Sequence, residues 1–318
     1  MKLGLCLAAF GDLDLAGALS HAEKFGPLWL DVPTDTTFGL IDAARAATDA
    51  RYRDEIAAAL AGHDIGCVSN SRDAQLLLGP HDRHTDPVCP GSADDKRGHA
   101  VNCSLGAIRL AQRLGVDTVR LLPGCPDFAR WLSWWGSDVG WADNIAEFRT
   151  AARPLVEAAR EAGIRLLLEP HPKQVVYDRA SAELLFSLTE DWADVLGLCV
   201  DPANLAATGH DPVAAVRGWG ARMGAVHAKD LQRWPHSDAP SGPGWGRYGP
   251  QPPIRFRALG LGELPWATIV STLQDEGFDD VLYVEHEDTL LPREHSIERG
   301  ISTLRSMLPV GLAEGRTW

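Results

Sequence analysis

Met223-Gly224-Ala225-Val226-His227-Ala228-Lys229-Asp230 begins apolar and turns polar at a histidine. The same change of character occurs three more times. Ile164-Arg165-Leu166-Leu167-Leu168 precedes Glu169, Val195-Leu196-Gly197-Leu198-Cys199-Val200 precedes Asp201, and Val281-Leu282-Tyr283-Val284 precedes Glu285. Each run has the length and composition of a buried parallel strand. A polar group just past such a strand emerges at its carboxyl end. In a parallel α/β barrel all those ends share one face, where active sites are built. Two glutamates, an aspartate and a histidine converging there make a mixed oxygen and nitrogen set for a divalent cation.

Working outward, strand-like runs cover 3–9, 28–32, 65–69, 118–122, 165–169, 196–201, 224–227 and 281–285, eight in all. Amphipathic stretches lie between them. Trp266, Ile269, Val270 and Leu273 fall at i, i+3, i+4 and i+7, and Ile297, Ile301, Leu304 and Leu308 trace another helical face. Ile145, Phe148, Ala152, Leu155 and Val156 do the same, with Pro154 expected to kink or divide that helix. Gly26, Gly115 and Gly163 stand where helices stop before a strand. Eight alternating units closing on a helix predict a single-domain (β/α)₈ TIM barrel spanning 1–318. No G-x-G-x-x-G fingerprint opens the chain, which weakens an open dinucleotide-binding sheet.

Three long connections, near 70–91, 123–140 and 231–262, each follow a strand and so belong to the presumed catalytic face. The first carries His81 and His84, read as a solvated polar loop ahead of a ligand-binding one. The second carries Trp131, Trp134 and Trp135, with Trp141 just beyond, read as a pocket wall or subunit interface ahead of local packing. The third is rich in Gly and Pro and carries Arg233, Arg247, Arg255 and Arg257, read as solvated.

Composition bounds the function. The chain has 318 residues, 45% hydrophobic and 23% charged, with a formal net charge of −13. That balance opposes general binding to nucleic acid or to an anionic membrane surface. No apolar run approaches the roughly 20 residues of a membrane span, and no secretory signal is visible. The six cysteines lack paired short spacing, so we expect reduced thiols in a cytoplasmic protein, with Cys6, Cys67 and Cys199 as small buried hydrophobes.

The segments Leu168-Glu169-Pro170-His171, Asp201-Pro202-Ala203-Asn204, Val226-His227-Ala228-Lys229-Asp230, Tyr283-Val284-Glu285-His286 and Leu261-Gly262-Glu263-Leu264-Pro265-Trp266 resemble the xylose-isomerase-like TIM-barrel superfamily of sugar phosphate isomerases and epimerases. The resemblance implies one divalent ion, Mn²⁺ first with Mg²⁺, Co²⁺ or Zn²⁺ as alternatives, bound by Glu169, Asp201, His227 and Glu285. In ketose 3-epimerases of this superfamily the two glutamates also exchange a proton at carbon, which would make Glu169 and Glu285 catalytic. A cation holding vicinal sugar oxygens acidifies the intervening C–H and stabilises an enediolate.

His171 and Asn204 are then candidate substrate contacts. Arg233, six residues after His227, stands where those epimerases have a substrate-contacting arginine. Lys229 and Asp230 are expected to orient the His227 region. Two positions depart from the pattern. Asn204 replaces the histidine of D-x-x-H in many relatives, which argues against a second metal there. Val175 replaces a further glutamate of the ketose 3-epimerases.

The implied activity is metal-dependent isomerisation or epimerisation of a keto-sugar or related polyol carbonyl, with a homo-oligomer as a family expectation. The runner-up is a lyase of the same superfamily, a keto-inositol dehydratase or 3-keto-glycoside-cleaving enzyme. An AP-endonuclease-like nuclease needs more histidines and a less acidic chain. A sugar-binding barrel without turnover would have little use for both glutamates.

Overall fold

The computed structural model describes residues 1–131, 140–233 and 254–308. Trp134, Trp135 and Arg247, and the side chain of Trp131, lie outside what is described. Among the described residues ten strands occur: β1 Lys2–Cys6, β2 Trp29–Pro33, β3 Asp64–Asn70, β4 Thr118–Leu121, β5 Arg165–Leu168, β6 Leu196–Val200, β7 Met223–Ala228, β8 Asp230–Arg233, β9 Ile254–Arg257 and β10 Val281–Val284. Eight of them close in the order β1-β10-β7-β6-β5-β4-β3-β2, every pairing parallel. This is the (β/α)₈ barrel, wrapped by helices.

The alternation of a strand decides what the barrel encloses. Cys6, Cys67, Leu167, Cys199, Ala225, Val281 and Tyr283 form one buried cluster within the ring of strands, separate from the larger core between strands and helices. The reading of Cys6, Cys67 and Cys199 as small buried hydrophobes holds, and all six cysteines are free thiols. Glycines make the room that Tyr283 needs. A Cβ on Gly66 would lie 2.2 Å from its hydroxyl, and one on Gly4 2.6 Å from its ring. Two residues beyond Leu167, Cys199, Ala225 and Tyr283 come Glu169, Asp201, His227 and Glu285. The period-2 pattern therefore stacks a charged layer directly on an apolar one.

The structure differs from the sequence reading in three places. The run 3–9 leaves the sheet at Cys6, because the last ladder partners of β1 are Val284 and Asp31; Leu7–Phe10 coil into a 3₁₀ turn. Pro154 does not divide its helix, which is continuous from Trp141 to Ala162. Pro154 sits on the exposed side, where water can take the carbonyl it leaves without a partner. The connection 231–262 is not all loop, because β8 and β9 pair antiparallel across it, Asp230 opposite Arg257 and Arg233 opposite Ile254. Its signal was masked by the surrounding Gly and Pro.

The expected helix stops hold. Gly115 and Gly163 end their helices at φ 71° and 69°, and Gly26 follows its 3₁₀ turn at φ 87°. Among the described residues no helix is long and apolar enough to cross a membrane.

Candidate metal centre

Glu169, Asp201, His227 and Glu285 come together at the carboxyl end of the barrel, each offering a ligand atom within 4.8 Å of the others. The strands set this directly. Glu169, Asp201 and Glu285 each follow the last residue of β5, β6 and β10, and His227 is the penultimate residue of β7, paired with Tyr283.

Asp201 has two tasks. Its Oδ1 accepts hydrogen bonds from the backbone N–H of Ala203 (2.7 Å) and Asn204 (3.1 Å), capping the helix Pro202–Ala207. Its Oδ2 faces the cluster and accepts from Asn204 Nδ2 (2.9 Å) and pairs with Lys229 Nζ (3.1 Å). Burial, with Glu285 and Glu169 adding to it and Lys229 opposing, pushes the Asp201 carboxyl up to about 6.

His227 is fully buried. Its Nε2 lies 3.3 Å from Asp31 Oδ2. Its Nδ1 has no hydrogen-bond partner and faces Glu285 Oε2 at 3.3 Å and Glu169 Oε1 at 3.8 Å. A carboxylate behind one ring nitrogen, with the other nitrogen aimed at carboxylate oxygens, is the arrangement that orients a metal-binding histidine. Burial alone would lower the His227 pKa; Cys199, Glu285 and Glu169 outweigh it and raise it well above the usual value. A buried imidazole nitrogen that faces three carboxylates and makes no geometric hydrogen bond is a donor set that fits a divalent cation through nitrogen and oxygen.

The carboxylates differ in how they are held. Glu169, 3% exposed, accepts from Asn204 Nδ2 on Oε1 (2.8 Å) and from Arg120 Nη1 on Oε2 (2.8 Å). Glu285 is 15% exposed, and its described hydrogen bond, from Lys229 Nζ at 2.9 Å, falls on Oε2.

Two other groupings, Cys6 with Asp31 and His227, and Asp73 with His99 and Cys103, also bring ligand atoms close. The first shares His227. In the second the Asp73 oxygens are already taken by Thr36, Asn70 and His99.

The remaining expected site residues fall around this centre. Asn204 is fully buried and gives its amide to Glu169 and Asp201, so it braces two of the candidate ligands. Lys229 touches Asp201, Glu285 and Glu287. Asp230 bonds the backbone N–H of Leu231, Gly260 and Leu264, anchoring the hairpin connection, and Gly262 is required beside it because a Cβ there would lie 2.1 Å from Oδ1. Arg233 bonds Glu263 (2.7 Å) and the Ala206 carbonyl (2.7 Å). His171 turns Nδ1 to the Pro172 carbonyl at 2.7 Å. His84 is exposed, as expected of a solvated polar loop, whereas His81 is half-buried and bonds the Leu76 carbonyl.

Trp141 is half-buried and makes local packing contacts. Its indole N–H donates to the Val175 carbonyl at 3.0 Å, and its ring meets Tyr177 and Phe128 edge-on at 4.9 and 5.5 Å. Val175 itself is fully buried.

Sequence reasoning missed Asp31, Arg120 and Glu287. Arg120 Nε lies 3.4 Å from Asp31 and its Nη1 also reaches Ser71 Oγ at 3.1 Å, so one guanidinium links the residue behind His227 to Glu169. Against burial, Arg120 and His227 hold the Asp31 carboxyl below its usual range. Removing the charge with Asp31→Asn is expected to weaken Mn²⁺ binding roughly 10–100-fold, as measured by calorimetric titration. Affinity within about twofold of the parent would mean that Asp31 does not orient His227.

A sequence profile of the xylose isomerase-like TIM barrel matches residues 27–307. The chain belongs to this family. The chain is also similar to the uncharacterized protein YfiH of Bacillus subtilis (strain 168), 24% identical over 339 residues, covering 97% of this chain and 99% of that one. The solved 3-keto-D-glucoside 4-epimerase YcjR of E. coli aligns with a TM-score of 0.65 at 13% identity, covering 96% of this chain and 99% of that one. The IOLI protein, solved with a bound zinc atom, aligns at 0.64 with 19% identity, covering 96% and 98%. At these identities the structural matches speak for the fold.

Proposed function

We propose that this protein is a divalent-metal-dependent isomerase or epimerase that moves a proton on a keto-sugar or related polyol carbonyl through an enediolate. The observation that carries the reading is the buried His227 Nδ1, without a geometric hydrogen bond and facing Glu285 at 3.3 Å and Glu169 at 3.8 Å, with Asp201 completing the set. The epimerase named among the structural neighbours supports the reaction class, and the zinc of another supports the cation.

Glu169, Asp201, His227 through Nδ1 and Glu285 would hold one divalent ion, with Mn²⁺ our first choice. When bound, such an ion supplies Lewis acidity that stabilises the negative charge of an enediolate. Glu285, the more open glutamate, takes the proton from carbon. Glu169, clamped by Asn204 and Arg120, is its partner on the opposite side of the substrate. The apolar layer below and the hairpin β8–β9 alongside limit water at the reacting carbon. His171 and Arg233 are proposed to contact the substrate at the rim. The protein is proposed to work in the cytoplasm as a homo-oligomer.

The test is incubation of the Mn²⁺-loaded protein in D₂O with ketohexoses, keto-inositols and 3-keto-glycosides, followed by NMR and mass spectrometry, beside a Glu169→Gln control. Deuterium in an isomer of unchanged skeleton, absent in the control, is the expected result. Release of water or an aglycone would make the protein a lyase and overturn the isomerase reading while keeping the centre.

A further inference from the structure

Lys229 is a cation already seated against the candidate ligands. Its side chain is 2% exposed, with Nζ 3.1 Å from Asp201 Oδ2, 2.9 Å from Glu285 Oε2 and 2.5 Å from Glu287 Oε2. The Phe256 ring of β9 lies 4.4 Å from the same nitrogen. Arg120, the other buried cation here, stands on the opposite side, between Glu169 and Asp31. The two cations differ in kind. Arg120 is a planar fork locked on a barrel strand, whereas Lys229 is a point charge on a flexible stem.

Glu287 gives that charge a carboxylate outside the ligand set. Its side chain is 42% exposed, so the Lys229 ammonium lies between two candidate ligands and a rim group that water can reach.

We propose that Lys229 is a resident counter-cation that sets how tightly the centre holds its divalent ion. It keeps Asp201 and Glu285 together when the ion is absent, and it opposes the ion when it arrives. Two like charges about 4 Å apart at an effective dielectric of ~20 repel enough to change a binding constant by more than tenfold. Glu287 moderates this by sharing the ammonium. The inference rests on Glu169, Asp201, His227 and Glu285 being the ligand set, and it concerns affinity rather than turnover.

The experiment is calorimetric titration of Mn²⁺ into the full chain, stripped with chelator, for the parent, Lys229→Met, Lys229→Arg, Glu287→Gln and the Lys229→Met/Glu287→Gln pair. Lys229→Met is expected to bind Mn²⁺ roughly tenfold tighter or more, and Lys229→Arg within a few-fold of the parent, because only the first removes the charge. Glu287→Gln is expected to weaken binding in the parent and to do so less in the Lys229→Met background. Parent-like or weaker binding by Lys229→Met overturns the proposal. Should that variant fail to fold, Glu287→Gln decides, since unchanged or tighter binding overturns it. A parent that takes up no Mn²⁺ overturns the ligand set itself, an outcome distinct from a parent that binds and a variant that does not tighten.

Discussion

Glu285→Gln is expected to lower the rate of substrate C–H exchange in D₂O by about 10²–10⁴-fold with a smaller loss of melting temperature than Glu169→Gln, because its partner Lys229 keeps Asp201 and Glu287. Glutamine matches the size of glutamate and can still offer an oxygen to a cation, but it cannot carry a proton between carbon and solvent. Glu285 is the better proton carrier of the two glutamates on geometry. Its side chain is partly open, and its described hydrogen bond falls on one oxygen only. Glu169 has both oxygens engaged, by Asn204 and by Arg120. Glu169→Gln should therefore lose exchange and stability together, because it also strips Arg120 of a charge partner. Exchange rates and thermal melts on the same two variants separate the roles. A Glu285→Gln protein exchanging within tenfold of the parent would remove Glu285 from the proton-transfer role.

The barrel was legible because eight apolar runs alternate with helical faces, and each of the eight forms a barrel strand. The position of Glu169, Asp201, His227 and Glu285 was legible for the same reason, since a polar residue that closes a buried apolar run emerges at the strand's carboxyl end. Asp31 and Arg120 are less legible because they lie inside strands and do not close an apolar run. Trp29-Leu30-Asp31-Val32-Pro33 and Thr118-Val119-Arg120-Leu121 each carry a buried charge among uncharged strand neighbours. A buried charge in a strand demands an opposite charge across the barrel, so the pair was there to be found. Glu287 carried no such mark. Its role depends on where Lys229 points, and no strand period encodes that.

Arg120→Met is expected to destabilise the ion-free protein by about 3–5 kcal/mol, the usual cost of removing one partner from a buried ion pair. Arg120 is 4% exposed, and its partners Asp31 and Glu169 are 1% and 3% exposed. Methionine fills most of the volume, so the loss reports charge more than cavity. The charge matters here because the layer is crowded with carboxylates. Without Arg120, Glu169 keeps only the Asn204 amide as a described hydrogen-bond donor, and Asp31 keeps His227, with Cys6 Sγ beside it at 3.7 Å. Adding Glu169→Gln to Arg120→Met removes one stranded charge and should recover part of the stability, whereas adding a distant surface change should not. Saturating Mn²⁺ should recover part of it as well, since a dication bound by Glu169 supplies positive charge beside the stranded carboxylates. Denaturant unfolding with and without Mn²⁺ measures all three. A loss below about 1 kcal/mol for Arg120→Met would be typical of an exposed pair, and it would mean that the guanidinium is not what makes the charged layer of this barrel tolerable.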